Sequence, residues 1–327
     1  MNSKTLRLIG IITAVLIAGL FLVETGDDAG TPTTGQLLLP DFRATANDID
    51  RVTIERASQE SVTINKVDGR WRVGGRGDYP AKTGVVRTVL LSLADAKVIE
   101  AKTANPDLHA RLGVDEPNAN GSKGIMVTAS AGDVSHAVIF GTTAQGDYRY
   151  ARVAGEDQSW LIDQNPDIPA TVGAWLESDI IDIDGSRIKA VSVLHPDGEA
   201  IQIDKFAEED TDFRVTDIPD GRELSYSTVA NGIGGALNDL DLDDVRAALP
   251  AEEAVTTEFR TFDGLTIVAR TIRVDDENWI SFELSGADSE EATKLRSRID
   301  GWQYKVADYK ANLLTRRWED ILKPVEE

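Results

Sequence analysis

One pattern occurs twice in this chain, and it constrains the fold more than any other feature. Ile49-Asp-Arg-Val52-Thr-Ile54 alternates apolar and polar residues, as a half-buried strand does. Residues 61–66 form a second such run, Asp68-Gly69 supplies a hairpin turn, and Trp71-Arg72-Val73 follows as a third strand. Residues 188–193, the turn Pro196-Asp197-Gly198, residues 200–205 and Phe213-Arg214-Val215 repeat that succession. Ile49 and Ile188 lie 139 residues apart, and Trp71 and Phe213 lie 142 apart, so the spacing holds across the pattern.

A helix is predicted after each copy. Val85, Val86, Val89, Leu90 and Leu93 share one helical face in the first, and Val229, Ile233, Leu237 and Leu240 share one in the second. Further strands are predicted over residues 124–128, 135–140, 148–153 and 160–163, and over 256–261, 265–270 and 279–284. Runs of strands without regular βαβ alternation predict an α+β fold built from duplicated units. The first unit is expected over residues 41–184 and the second over 185–327. An acidic segment, residues 175–184, bridges them. The second is expected to close with an amphipathic helix over 306–323, carrying Tyr309, Leu313, Leu314, Trp318, Ile321 and Leu322 beside the Arg316-Arg317 pair.

The first 23 residues read as a single N-terminal transmembrane helix. Leu8, Ile9, Ile11, Ile12, Val15, Leu16, Ile17, Leu20, Phe21, Leu22 and Val23 make its apolar surface. The uncharged run is 16 residues and reaches 18 if Leu6 is included and Arg7 snorkels to the interface. No small-x-small cleavage site follows, so an uncleaved anchor is expected, with a cleaved signal peptide as the alternative. Lys4 and Arg7 precede the run, and Glu24, Asp27 and Asp28 follow it. This asymmetry predicts a cytoplasmic N-terminus, with residues 24–327 outside, in the periplasm of a bacterium. Residues 24–40 read as a flexible tether. Leu37, Leu38 and Leu39 either dock on the body or lead into the first strand.

Charge narrows the partners. The chain carries 34 Lys and Arg against 56 Asp and Glu, a net −22. Without residues 1–23, which hold Lys4 and Arg7 and no acid, the balance is 32 against 56, a net −24. Such a body repels phosphate backbones, so nucleic acid is not expected as a partner. The absence of cysteine excludes disulfides, thiolate metal sites and a cysteine nucleophile.

Residues 70–84, RWRVGGRGDYPAKTG, resemble several functional motifs and satisfy none. A P-loop ending at Lys82 needs glycine where Arg76 and Ala81 stand. A dinucleotide fingerprint from Gly75 needs glycine at Pro80. The Arg76-Gly77-Asp78 tripeptide is too short to stand alone as an adhesion signal. The stretch is better explained as a strand-to-helix connection, with glycines turning the chain, Asp78 capping the helix and Pro80 in its first turn. The acidic runs fail as calcium loops: Ile180 and Val191 replace essential acids in one, and Asp244 and Pro250 break the other. His109, His136 and His195 are scattered, and no Gly-x-Ser-x-Gly elbow is present. Trp71, Trp160, Trp175, Trp279, Trp302 and Trp318 are expected to anchor cores and interfaces.

Several segments carry a family likeness. Trp71-Arg72-Val73, Tyr79-Pro80, Arg111-Leu-Gly-Val-Asp-Glu-Pro117, Ile139-Phe-Gly141-Thr-Thr143, Gly146-Asp-Tyr-Arg-Tyr150 and Trp160-Leu-Ile resemble the DUF4340 family in type and order. The resemblance covers most of residues 45–185 and, more weakly, the second copy. It implies a membrane-anchored envelope protein of the kind encoded beside an ABC transporter linked to gliding motility, and it brings no established catalytic residues. The expected partners are the bilayer, through the N-terminal helix, and ABC transporter subunits. The expected role is a non-enzymatic accessory or scaffold. A ligand-binding module using an inter-repeat cleft and an envelope glycan or peptide hydrolase are the alternatives. No catalytic, cofactor-binding or metal-ligating residue is assigned, and no cofactor is expected.

Overall fold

The structure is a computed structural model that describes residues 33–286 and 288–324. The expected anchor, Leu8 to Val23, with Lys4, Arg7 and the first part of the tether, lies outside the described residues. Among the described residues no helix is long and apolar enough to cross a membrane.

After a short helix α1 (Phe42–Thr45), alternating side chains sort the first half of the chain into nine strands. These are β1 (Arg51–Arg56), β2 (Val62–Val67), β3 (Arg70–Val73), β4 (Tyr79–Pro80), β5 (Val98–Ala101), β6 (Ile125–Ala131), β7 (Val134–Thr143), β8 (Arg149–Val153) and β9 (Ser159–Ile162). They form one antiparallel sheet in the order β4-β3-β2-β1-β6-β7-β8-β9-β5. Asp68 (φ 49°) and Gly69 (φ 75°) close β2 onto β3. Both central residues are left-handed, which matches a two-residue loop to the strand twist. Helix α2 (Thr83–Asp95) carries the chain from the β4 edge to the β5 edge. It buries Val86, Val89 and Leu93 in the core that holds Val52, Ile54, Ile64, Val127 and Phe140. Each such side chain contributes about 1.5–3 kcal/mol by leaving water.

The second half supplies β10 (Asp179–Ile181), β11 (Ile188–Leu194), β12 (Ala200–Asp204), β13 (Arg214–Thr216), β14 (Leu240–Asp241), β15 (Asp244–Ala247), β16 (Val255–Thr261), β17 (Leu265–Val274), β18 (Glu277–Gly286) and β19 (Trp302–Lys305). Eight of these form a sheet in the order β13-β12-β11-β16-β17-β18-β19-β15, while β10 pairs with β14. With β1 set against β11 and β5 against β15, the two sheets share one strand order, and only β4 lacks a counterpart. The fold is thus a strand-dominated α+β, as the sequence predicts. One apolar cluster runs through both sheets.

The units differ in what is added to the common plan. Residues 102–124, with helix α3 (His109–Leu112), join β5 to β6, whereas residues 248–254 suffice between β15 and β16. Helix α5 (Glu290–Ile299) between β18 and β19 has no counterpart in the first sheet.

Two expectations are corrected. The second predicted helix shrinks to α4 (Asn231–Gly234), and Leu240 lies in β14. Glycine is a poor helix former, and here Gly234 is required: a Cβ would collide with the Phe213 ring. The predicted C-terminal helix is two, α6 (Asp308–Leu314) and α7 (Trp318–Ile321). Thr257 Oγ1 donates to Leu314 O at 2.5 Å, His195 Nε2 meets Arg316 O at 3.0 Å, and Asp320 accepts from Arg317 N at 2.9 Å. These bonds take the carbonyls and amide that a continuous helix would use itself. Tyr309, placed on the apolar face by periodicity, is 65% exposed. The end of the tether docks on the body, one of the two courses expected for Leu37 to Leu39. Gly35 N donates to Val98 O and Leu38 N to Ala96 O, both at 2.7 Å, and Leu38 and Leu39 are buried. Residues 35–38 cover the β5 edge, which would otherwise expose unpaired backbone groups.

Candidate functional site

The stretch 70–84 lies on the seam between the units. Tyr79 and Pro80 are strand, with Pro80 opposite Arg72, and α2 starts only at Thr83 after Lys82. Asp78 therefore does not cap the helix. It is left-handed (φ 59°), and its carbonyl accepts from Arg72 Nη1 at 2.9 Å. Burial of the Tyr79 ring explains the difference, because the seam draws this segment onto the sheet edge. Tyr79 packs edge-to-face on Trp302 at 5.1 Å and lies 6.1 Å from Tyr304. Gly77 (φ 65°) faces Trp302 so closely that a Cβ would sit 3.1 Å from the ring.

Arg76 spans the seam. Its Nε and Nη2 donate to Asp244 at 2.6 and 3.1 Å, and its Nη1 and Nη2 donate to Glu60, both at 2.9 Å. Glu60 foremost, with Asp244, holds the guanidinium above its ordinary pKa. The connecting segment is stitched to the same edge: Lys82 N donates to Trp175 O and Glu177 N to Pro80 O, with the Trp175 ring fully buried. Beside this lies a groove of about 630 Å³ lined by Glu60, Arg76, Val172, Gly173, Asp243 and Lys305. Both of its cations are already paired, Lys305 with Glu277 at 2.6 Å.

Three of the segments that carry the family likeness, residues 111–117, 139–143 and 146–150, meet on the first sheet at β7. A register shift in β7 falls between Phe140 and Thr143. The chain from Leu112 to Val114 crosses there, and any side chain at Gly141 would collide with Leu112 O. Thr142 Oγ1 donates to Leu112 O at 3.2 Å, and Arg149 Nε satisfies Gly141 O at 2.8 Å. Arg152, buried beneath, donates to Val114 O, Glu156 O and Glu116 Oε1, each at 2.8 Å. Burial raises the carboxyl pKa of Glu55, with Glu116 adding to it, and burial also raises that of Glu156. Asp115 Oδ1 is buried with no hydrogen-bond partner. Among the described residues Glu116 is the one carboxylate paired with this guanidinium, and structurally the contacts clamp residues 109–117 to the sheet.

The remaining candidates are dispersed. His109 Nε2 donates to Asp157 O at 2.8 Å, and His195 binds the C-terminal segment as described. His136 stands edge-on to Phe42 at 5.2 Å, and burial lowers its pKa. Each histidine ties one peripheral segment to a sheet. The two acidic runs are brought together by β10 and β14: Asp182 accepts from Asp239 N at 3.0 Å, and Asp179 stands opposite Asp241. Among the described residues no three His, Asp or Glu side chains converge to hold a metal ion. Trp71, Trp160, Trp175 and Trp279 are buried, while Trp302 and Trp318 are half-buried. Sequence reasoning missed the seam ion pairs altogether, since no local signal joins Arg76 to Asp244.

Fold and site define a two-sheet α+β body, each sheet on one plan, locked by an aromatic and ionic seam. The chain belongs to the family described as a domain of unknown function, DUF4340, whose model matches residues 71–261. The match starts in β3 and ends in β16, so it crosses the seam. No curated protein and no solved structure matches the chain.

Proposed function

We propose that this protein is a membrane-anchored accessory or scaffold protein of the bacterial envelope, whose periplasmic body serves a membrane transport complex of the ABC type. The observation that supports the scaffold reading best is the seam. Arg76, Tyr79, Trp302 and Asp244 tie the two units, and the connector through Trp175 is buried rather than free to bend. A clamshell binding protein needs a cleft that opens, whereas a scaffold needs a body that keeps its shape. Both cations that line the groove at the seam are already paired with carboxylates, which weighs against an anionic small-molecule site there. The anchor and its orientation rest on the Lys4 and Arg7 flank and the apolar run after it. The transporter association rests on the family resemblance alone.

One observation favours a second reading. The carboxyls of Glu55 and Glu156 sit above their ordinary range beside Glu116 and Arg152, a pattern that hydrolases use for proton transfer.

Purification of the full-length tagged protein from native membranes in mild detergent, with crosslinking and mass spectrometry, tests the proposal. Stoichiometric recovery of an ABC transporter's membrane and ATPase subunits is the expected result. Recovery of the protein alone, crosslinked or not, overturns it.

A further inference from the structure

Arg56 and Arg149 are half-buried and, like Arg72, are held by backbone carbonyls and not by a carboxylate. Arg76 and Arg152 are each held by a carboxylate, at 2.6 and 2.8 Å. Arg56 and Arg149 have carbonyls instead. Arg56 Nη1 donates to Pro169 O at 2.7 Å and its Nη2 to Ile168 O at 2.5 Å. Arg149 Nη1 donates to Pro166 O at 3.0 Å, and its Nε to Gly141 O. Both guanidinium groups therefore sit on one four-residue stretch, 166–169, which bonds them side by side.

Strand alternation explains how they arrive there. Val52, Ile54 and Arg56 share the inner face of β1, and Ala151 and Arg149 share the inner face of β8. The two arginines thus end the apolar rows of their strands where the sheet face meets the 166–169 loop. Arg149 also lies over the Phe140 ring, 5.6 Å from its centroid. Burial foremost lowers the pKa of each, and Arg56 adds to the effect at Arg149. Asp167, exposed on the same loop, offsets part of this charge. Yet among the described residues no carboxylate lies within ion-pairing distance of either group.

Two adjacent, half-buried cations without a contacting anion are costly in a chain that has 22 acids to spare. Each guanidinium has five N–H donors. The bonds above engage two on each, and the planar fork suits an oxyanion. We propose that Arg56 and Arg149 form a binding site for a phosphate-class oxyanion at the 166–169 loop. The 166–169 loop leads directly into the seam, since Pro169 O also accepts from Trp175 Nε1 at 3.3 Å.

Calorimetric titration of the full-length chain in mild detergent tests this. Inorganic phosphate is the probe, with sodium chloride at matched ionic strength as the control. Saturable binding of one phosphate per chain is expected, weakened about tenfold or more by Arg56→Gln or Arg149→Gln. Because both side chains also satisfy carbonyls, Arg56→Lys and Arg149→Lys accompany them. These keep the charge and lose the fork, so a folded Lys variant is expected to bind several-fold more weakly. Replacing phosphate by glycerol 3-phosphate separates a headgroup-type ester from the free ion: tighter binding of either identifies the source. Absence of saturable phosphate binding in the wild-type chain overturns the proposal, as does unchanged affinity in folded variants at both positions.

Discussion

Arg76 and Asp244 are 168 positions apart in the chain and meet in two hydrogen bonds of 2.6 and 3.1 Å, with Glu60 held on the other side of the same guanidinium. This arrangement gives Arg76-Gly77-Asp78 its structural meaning. The arginine is enclosed by two carboxylates, and the glycine lies against Trp302. The tripeptide is part of the seam and not a free loop.

Removing the guanidinium leaves two acids facing each other across the seam. Arg76→Ala is expected to cost about 1–3 kcal/mol, read from denaturant unfolding. Hydrogen exchange should rise at residues 74–78 and 243–247 together. A double-mutant cycle with Asp244→Ala should return a coupling of about 1 kcal/mol. Strict additivity would show that the pair does not hold the seam.

Two glycines should respond in opposite directions. Gly234→Ala forces a methyl group into the Phe213 ring and is expected to destabilise by about 2 kcal/mol or more. Gly84→Ala, in the first turn of α2 with open space around its Cβ position, is expected to stabilise by roughly 0.5–1 kcal/mol. Thermal melts of both variants decide the matter, and equal shifts would refute the packing argument.

Gly141→Ala tests the clamp on residues 109–117. The added methyl group displaces Leu112 O from the bulge in β7. Limited proteolysis with trypsin should then cut at Arg111 well before the sheets unfold. If Arg111 stays as protected as in the wild type, the motif segments do not depend on that close approach.

The Glu55 carboxyl should show in a pH series. Its folded pKa is raised, by burial first and Glu116 second, so the folded state holds this proton more tightly than the unfolded state. Stability from this group is complete below the unfolded pKa of about 4.3 and declines as pH rises through the folded value. Glu55→Gln removes that decline. Its Tm should exceed the wild type near about pH 7 and match it near about pH 4. A gain of the same size at both pH values would mean that charge is not the cause.

Periodicity located most strands because a half-buried strand writes its face into every second residue. It also located the Asp68-Gly69 loop, whose left-handed backbone suits those residues. It was silent on the Asp275-Asp276 loop, where two aspartates take φ of 51° and 64° without any glycine. Helices fared worse. The apolar spacing of Val229, Ile233, Leu237 and Leu240 is helical, but glycines and the Phe213 ring stop the helix after Gly234. At the chain end, Thr257, His195 and Asp320 break a pattern that periodicity reads as continuous. The family segments were legible one by one, and the convergence of three of them around Gly141 was not.

By itself the sequence determined the repeated strand plan, the α+β class and the surplus of acid. These properties follow from local alternation and composition, which every segment carries within itself. Tertiary structure alone decided that Arg76 faces Asp244, that Arg56 and Arg149 share one loop, and which of their two expected courses the tether's last leucines take. Such pairings depend on how strands far apart in the chain are ordered within a sheet and on what packs across its edges. No short window of sequence contains both partners.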